Sequence, residues 1–436
     1  MKKYLFIFLL IYTSLPCMAQ LTFNTLQQVL EYADRNSADI QSAVLQGKKE
    51  QAKAKQTASY LYPQISGTAT YNDNISIQST LVPAQLLDPA APEGTYQELK
   101  FGKKYTNGAG IQTQWDILDF QKMFATKTAR NEVRLSQAST QLTKFNAYKD
   151  ISSIYYSILM MKEAIKIYEE NLQTSTLALT KAEDKYNQGI INEETLNKAR
   201  IQKLQAEKRL TDARFSIHQL QCKLQSKLVT NEDITINDNI NRHSPQDSTA
   251  ECMTTHPEIL YQESEVNLMQ SQLKQARALG LPSISMVYQY NYDWVSDRFM
   301  DFSNASKMNS QLFGIKLSIP IFNGFYTKQK IKEAKWSLKE QQLILESTRI
   351  SKQKEDDILL SQYHQTAQNL TKSQEMLALQ KASDKHTEDK YNTGIINLEE
   401  RLEKYQDLLD QQNSYLDSLS DYLSTEFQLY IRHLNF

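Results

Sequence analysis

The sequence predicts an α+β fold in which amphipathic strands alternate with very long helices, arranged as two tandem structural repeats. The nonapeptide DKYNQGIIN at 184–192 recurs 205 residues later as DKYNTGIIN at 389–397. Residues 121–187 and 325–390 contain neither Gly nor Pro, which is typical of uninterrupted helices. Four segments alternate apolar and polar residues and are predicted strands, at about 63–77, 105–117, 282–294 and 311–321.

The first 19 residues have the parts of a secretory signal peptide. A basic start at 2–3 precedes an apolar run at 4–15, which is too short to span a membrane. Ala19 then offers a small residue for cleavage. Cys17 raises lipid attachment as an alternative, although its neighbours depart from the usual lipidation pattern.

The overall composition excludes several classes of protein. The formal net charge of -1 gives no basic excess for nucleic acid. A mean hydropathy of -0.55 suits helices with narrow apolar stripes. No apolar run of 18 residues follows the signal peptide, so a membrane-spanning segment would have to be a closed β-barrel. Cys222 and Cys252 could pair in an exported chain, but their spacing does not decide this.

The strands carry the pattern of a transmembrane β-barrel. In SISMVYQYNYDW at 283–294, one face is apolar and aromatic while the other is polar with one exception. A soluble sandwich with one wet face is the alternative. Four strands cannot close a barrel, so three copies would be needed to supply twelve. The residues predicted to form an aromatic belt at the membrane surface are Trp115, Tyr288, Tyr290, Tyr292 and Trp294.

The helices form two predicted hairpins, at 121–228 with its tip at 186–192 and at 325–433 with its tip at 391–397. Each long helix of about 66 residues would extend on the order of 100 Å. Gly189 and Gly394 break the helical pattern, and an Asn three residues later can cap the next helix. The apolar residues of the tips either bind a partner or pack between hairpins, namely Ile190, Ile191, Ile395 and Ile396.

Motifs along the chain together resemble the TolC family of outer-membrane efflux ducts. LTFNTLQQVLEYADRNSADIQSA at 21–43 resembles the opening helix pair of the family, and HPEIL at 256–260 opens the second repeat in the same way. IPIFNGF at 319–325 resembles the exit from strand to helix. The resemblance implies a TolC-like trimeric duct, with a shared 12-stranded transmembrane β-barrel and a coiled-coil periplasmic tunnel in the Gram-negative outer membrane.

The resemblance also implies partners. Family members dock by their hairpin tips to a periplasmic adaptor (a membrane fusion protein), which links them to an inner-membrane RND or ABC pump. The implied docking residues are Gln188, Gly189, Ile190, Thr393, Gly394 and Ile395. The family often has valine before each tip glycine, so the residues at 188 and 393 are departures that put the choice of adaptor in doubt. Ile396 replaces an arginine that helps to close the entrance in some members.

An acidic stripe on the last helix begins with Glu400, Glu403 and Asp407. The first repeat has Thr195, Lys198 and Gln202 at the matching positions, so the stripe belongs to the second repeat alone. We expect the three acidic residues at the tunnel entrance, where threefold symmetry would form rings that favour cations. A solvated outer face is the alternative.

The predicted organisation is a signal peptide at 1–19, a first repeat at 20–230, a connector at 231–250 and a second repeat at 251–436. The chain is predicted not to be an enzyme and to need no cofactor, because no nucleophile motif or phosphate loop is present. The scattered His243, Cys252 and His256 do not form a zinc motif. A coiled-coil envelope protein without a pore, or a duct for protein secretion, are the alternatives to small-molecule efflux.

Overall fold

The computed structural model describes residues 21–240 and 255–434. The predicted signal peptide with Cys17, and also His243 and Cys252, lie outside the described residues. The chain divides into two compact units. One is built around a four-stranded antiparallel sheet, and the other consists mainly of helices with a small two-stranded sheet.

The sheet unit comprises Lys48–Leu135 and Ser264–Leu343. Its main sheet has four antiparallel strands in the order β2-β5-β7-β8, so the first repeat supplies two neighbouring strands and the second repeat supplies the other two. These strands are β2 (Gln64–Asp73), β5 (Tyr105–Asp119), β7 (Ser283–Ser296) and β8 (Ser306–Ser318). The last strand was predicted at about 311–321 and runs over Ser306–Ser318 instead. It ends before Pro320, which cannot donate to the ladder.

The register of the sheet places apolar side chains on one face. Tyr288 pairs with Thr113 of β5 and Phe313 of β8, and Met286 pairs with Trp115. The other face is mostly polar, with Gln289 opposite Gln112 and Asn291 opposite Ser310, while Leu312 and Val287 are apolar exceptions. The alternation predicted from the sequence therefore yields a sheet with one apolar and one polar face.

The segment between β2 and β5 contains a further hairpin of two short strands. They are β3 (Ser79–Pro83) and β4 (Tyr96–Lys100), and they pair only with each other in the described part of the chain. The sequence predicted no strand between those at 63–77 and 105–117, since strands of five residues give too few alternations to be recognised.

The described residues of the helical unit are 21–47, 136–240, 255–263 and 344–434. This unit contains most of both hairpins. The first residues of the two long helices, up to 135 and up to 343, belong to the sheet unit. Among the described helices, none is long and apolar enough to cross a membrane. The helices of the chain are α1 (Leu26–Asn36), α2 (Ala38–Ala58), α3 (Phe120–Asn187), α4 (Glu193–Leu228), α5 (Pro257–Ala278), α6 (Tyr326–Asn392) and α7 (Leu398–His433).

A parallel pair of short strands joins the start of the chain to the end of the first repeat. They are β1 (Leu21–Phe23) and β6 (Ile234–Ile236), with Phe23 opposite Ile236. The predicted polar connector at 231–250 therefore contains a buried strand. Strand β6 is only three residues long, which is too short to be distinguished from a loop by its sequence pattern.

The main core of the helical unit brings both repeats together. Tyr155 and Ile158 of α3, Leu224 of α4, and Tyr422 and Leu423 of α7 are almost completely buried in one cluster. Within α3, the cluster members Tyr148, Ile151, Tyr155 and Ile158 recur at three- and four-residue steps, which is the spacing typical of coiled coils. This core holds the two hairpins against each other at the end opposite their tips.

Candidate functional site: the paired hairpin tips

The first tip is a tight reversal between α3 and α4. Gly189 has a φ of 71°, a conformation that side chains with a Cβ rarely adopt. The Gly189 N–H donates to Tyr186 O at 2.9 Å, and the Ile190 N–H donates to Lys185 O at 2.8 Å. Asn192 then caps α4 by accepting a hydrogen bond from the Thr195 N–H at 2.9 Å.

The second tip repeats this geometry almost unchanged. Gly394 has a φ of 77°, and its N–H donates to Tyr391 O at 3.1 Å. Asn397 accepts from the Glu400 N–H at 2.8 Å and so begins α7. The glycines end one helix and the asparagines start the next, which is the role that the sequence predicted for both residue types.

The tip isoleucines divide into two kinds. Ile190 is 63% exposed and Ile395 is 72% exposed. Ile191 and Ile396 instead pack against a cluster in which both hairpins take part. Packing between hairpins therefore applies to Ile191 and Ile396, while partner binding by the exposed Ile190 and Ile395 stays a prediction. The buried residues of this tip cluster are Ala182, Leu196, Ala199, Tyr391, Leu398 and Leu402.

The residues at the implied docking turns are all exposed. Gln188 and Thr393 precede the two glycines, and the Thr393 hydroxyl donates to Asp389 O at 3.0 Å. The two turns thus present one glutamine or threonine, one glycine and one isoleucine each to solvent. Their role in docking stays a prediction.

Polar contacts also join the two hairpins near the tips. The Lys198 ammonium contacts the Glu399 carboxylate, and the Lys185 ammonium lies 4.3 Å from the centre of the Tyr391 ring. The Gln202 side-chain amide donates to Leu402 O at 3.3 Å. These contacts, together with the tip cluster, fasten hairpin 1 to hairpin 2 within the chain.

The three acidic gate candidates lie on the exposed surface of α7. Glu400, Glu403 and Asp407 are all exposed, and Asp407 has Lys404 at 3.7 Å. The apolar stripe of the same helix, including Leu402 and Leu409, is buried. The two stripes are separate, as the spacing predicted.

The sequence analysis missed a buried ion pair inside hairpin 2. Arg401 of α7 donates two hydrogen bonds to Asp384 of α6, at 2.6 and 3.1 Å, and the two side chains are only 10% and 13% exposed. The guanidinium also lies over the Tyr405 ring, and burial raises the pKa of Tyr405 to about 12. A comparison of the two repeats could have identified this pair, because the residues of the first repeat that match Asp384 and Arg401 are Leu179 and Leu196.

A second polar site lies at the opposite end of the hairpins, in a cavity of about 300 Å³. His256 is buried there against Phe145 and accepts a hydrogen bond from the Glu258 N–H at 3.1 Å. Burial, and then the nearby Arg432 and Lys352, lower the pKa of His256 to about 4. Among the described residues, no group of three His, Cys, Asp or Glu side chains could hold a metal.

A sheet with one apolar and one polar face, joined to two long helical hairpins, defines a channel protein of the outer-membrane type. The sequence profile described as Outer membrane efflux protein matches residues 29–228 and 251–431, and the chain belongs to this family. Proteins of the family are transport channels of the Gram-negative outer membrane with a periplasmic tunnel, so the chain is an outer-membrane protein with an efflux role.

Solved structures show the same fold. CusC is 18% identical with a TM-score of 0.78, over 95% of this chain and 93% of that chain. The Campylobacter jejuni outer-membrane channel CmeC is 16% identical with a TM-score of 0.73, over 94% and 85%. The Neisseria gonorrhoeae channel MtrE, solved in its open state, is 15% identical with a TM-score of 0.71, over 93% and 88%. No curated protein sequence matches the chain significantly.

Proposed function

We propose that three copies of the chain form a passive duct of a tripartite efflux system, each copy supplying four strands to a 12-stranded barrel. The observation that carries the proposal is the open sheet. In the described part of the chain, β2 pairs only with β5 and β8 pairs only with β7, so both edges of a long sheet are unpaired. An unpaired edge in a membrane is costly, and pairing β8 with β2 of the next copy removes both edges.

The polar face of the sheet supports a water-filled interior. Gln112, Gln289 and Asn291 share one face, while Tyr288 and Phe313 lie on the other. A closed barrel of this kind would place the apolar face, with the predicted aromatic belt, toward lipid. A coiled-coil protein without a pore would not need a sheet with one apolar and one polar face.

The tips are the proposed docking site for a periplasmic adaptor linked to an inner-membrane RND or ABC pump. Exposed isoleucines at the end of a long hairpin suit contact with another protein, and Ile190 and Ile395 provide one apolar side chain per hairpin. Three copies would present six such residues. The energy for transport would come from the pump, so the chain itself needs no cofactor.

The test is the native mass of the purified protein together with its conductance in planar lipid bilayers. We expect a homotrimer that forms cation-selective channels. Replacing Glu400 and Glu403 with Gln should reduce the cation selectivity, since these carboxylates would border the entrance. A monomer, or a trimer that never conducts, would contradict the duct. Transport of an unfolded polypeptide rather than small molecules by the reconstituted system would favour the secretion alternative.

A further inference from the structure

An ordered hairpin extends the sheet at the end away from the helices. At one end of the sheet, β5 leads directly into α3, and α6 follows shortly after β8. At the other end, Asp73 pairs with Tyr105, and the Asn74 N–H donates to Lys104 O at 2.7 Å. Strands β3 and β4 come next, and we call residues 79–100 the outer hairpin. In the proposed duct the long helices lie in the periplasm, so the outer hairpin lies outside the cell.

Contacts with the loop between β7 and β8 hold the base of the outer hairpin. The Lys103 ammonium forms an ion pair with the Asp297 carboxylate at 2.5 Å. The Asn74 side-chain amide donates to Lys103 O at 2.9 Å. Phe299 packs edge-on against Tyr105, with 5.9 Å between the ring centres. These contacts fix the position of the outer hairpin relative to the sheet.

Hydrogen bonds also order the tip of the outer hairpin. The Ala84 N–H donates to Thr95 O at 2.9 Å, just beyond the paired residues of β3 and β4. Within the tip, the Asp88 N–H donates to Ala84 O at 2.9 Å, and the Thr95 hydroxyl donates to Pro92 O at 2.7 Å. Prolines at 83, 89 and 92 restrict the backbone further. The outer hairpin therefore presents a fixed surface.

One face of the outer hairpin is apolar and exposed. Leu81 is 68% exposed and Tyr96 is 65% exposed. Pro83 pairs with Tyr96, and Leu81 lies two residues before Pro83, so the three side chains share this face. An ordered, exposed apolar face indicates a partner. The outer hairpin also carries three acidic residues and one basic residue, namely Asp88, Glu93, Glu98 and Lys100.

The continuity of the strands identifies the partner. β5 pairs with one edge of β2, and β4, which leads toward β5, pairs with the matching edge of β3. The other edge of β3 has no pairing strand among residues 21–240 and 255–434. It continues the open edge of β2, which in the proposed duct pairs with β8 of the next copy. An open edge is a template for another chain, and the next copy is the chain that this edge meets.

The next copy has a matching surface where its β8 begins. Residues 298–308 expose three large apolar side chains, Met300, Phe302 and Met308. They carry two basic residues and one acidic residue, Arg298, Lys307 and Asp301. Neighbouring strands in a closed barrel are staggered, which can bring the outer end of β8 beside β3 of the adjoining copy. Apolar side chains then meet apolar side chains, and the opposite balance of charge favours the contact.

We propose that the outer hairpin is a second interface between copies, in which Leu81 and Tyr96 pack against residues 298–308 of the next copy. This interface fastens the trimer outside the membrane, in addition to the pairing of the barrel strands. The inference rests on the proposed trimeric duct and adds a contact that closure of the barrel does not by itself require.

Cysteine cross-linking tests the geometry of this interface. The pair Leu81→Cys and Phe302→Cys, in a chain with Cys222→Ser and Cys252→Ser, should react with a short bismaleimide and give covalent dimers and trimers on a denaturing gel. The matched control is Lys103→Cys with Asp297→Cys. These two positions are in contact inside one chain, so the control pair should react without any increase in mass.

The stability of the trimer tests what the interface does. Leu81→Ser combined with Tyr96→Ser removes the apolar contact while leaving the paired backbone of the outer hairpin in place. We expect trimers of this variant to dissociate about tenfold faster in sodium dodecyl sulfate at a fixed elevated temperature. Its conductance in lipid bilayers should match that of the parent protein, which shows that the barrel still forms. Gln97→Ser, on the opposite face of β4, is the control and should leave the dissociation rate unchanged.

The outcomes separate the outer interface from the duct itself. A parent protein that is monomeric or never conducts defeats the proposed duct, and the outer interface with it. A conducting trimer in which the 81 and 302 cysteines do not join chains, while the control pair reacts, overturns the outer interface alone. Efficient joining of chains by Leu81→Cys alone also overturns it, because the three hairpins would then contact one another. If the double serine variant dissociates at the parent rate, the apolar face serves a partner outside the trimer and the proposal is wrong.

Discussion

The two hairpin tips have nearly the same sequence and the same turn, yet different surroundings. Tyr186 and Tyr391 occupy matching positions in the two nonapeptides, but the first is 41% exposed and the second only 8%. Tyr391 is covered by α3 and α4 of hairpin 1, whereas none of the residues at 21–240 and 255–434 covers Tyr186 to the same extent. A local sequence thus determines the turn, while the neighbouring element determines which side chains are buried.

The interiors of the hairpins differ more than their tips. Where hairpin 1 has Leu179 and Leu196 in the tip cluster, hairpin 2 has Asp384 and Arg401 as a buried ion pair. Both solutions fill the space between two helices. They differ in specificity, since an ion pair is satisfied in only one register while leucines tolerate several.

Breaking the ion pair on one side should give the largest effect. Arg401→Leu leaves the Asp384 carboxylate buried without its partner, and the free energy of unfolding should fall by about 3 kcal/mol or more. The double variant Arg401→Leu with Asp384→Leu copies the first repeat and should recover most of this loss. Urea unfolding followed by the helical circular dichroism signal measures both. If the double variant is as unstable as Arg401→Leu, the loss comes from the missing ion-pair contacts rather than from a buried carboxylate without a partner.

A second comparison concerns Ser37 and His256, which occupy matching positions at the start of α2 and α5. Because the pKa of His256 is about 4 in the folded protein and near 6.5 in an unfolded chain, the unfolded chain binds the proton first as the pH falls. The contribution of the neutral His256 side chain to the free energy of unfolding is therefore complete above pH 6.5 and is lost as the pH falls from 6.5 to 4. We expect a loss of about 1 to 2 kcal/mol, since partial hydration of the site reduces the effect.

The variant His256→Ser copies Ser37 and provides the control for this pH dependence. The difference in stability between parent and variant should shrink as the pH is lowered from 7 to 4. Melting temperatures of the two proteins across this range measure that difference. A constant difference would mean that the folded and unfolded chains take up this proton at the same pH, so that the pKa of His256 is not lowered in the folded protein.

The helix caps should give the smallest effect, and an equal one in both hairpins. Asn192 and Asn397 accept the same hydrogen bond at 2.9 and 2.8 Å, so replacing either with Ala should cost about 1 kcal/mol. Unequal losses in the two single variants, measured by urea unfolding, would show that contacts beyond the local turn contribute. Asn187→Ala, just before the first tip and outside any cap, is the comparison variant.

Much of the architecture could be predicted from patterns that are local in the chain. The nonapeptides identified the duplication and both tips, and the alternation in 283–294 identified β7 and its apolar face. The acidic and apolar stripes of α7 also followed from spacing alone. Short elements could not be found this way, as with the three-residue strand β6 and the hairpin of β3 and β4.

The sequence by itself determined the repeated turn, because a glycine with positive φ and an asparagine cap act within a few residues of each other. It also determined the two faces of the sheet, since side chains alternate along every strand. Only the tertiary structure decided that Ile191 is partly buried while Ile190 is exposed, and that Arg401 meets Asp384 across the hairpin. These outcomes depend on residues brought together from separate helices, and the free energy of burial depends on that packing rather than on neighbours in the chain.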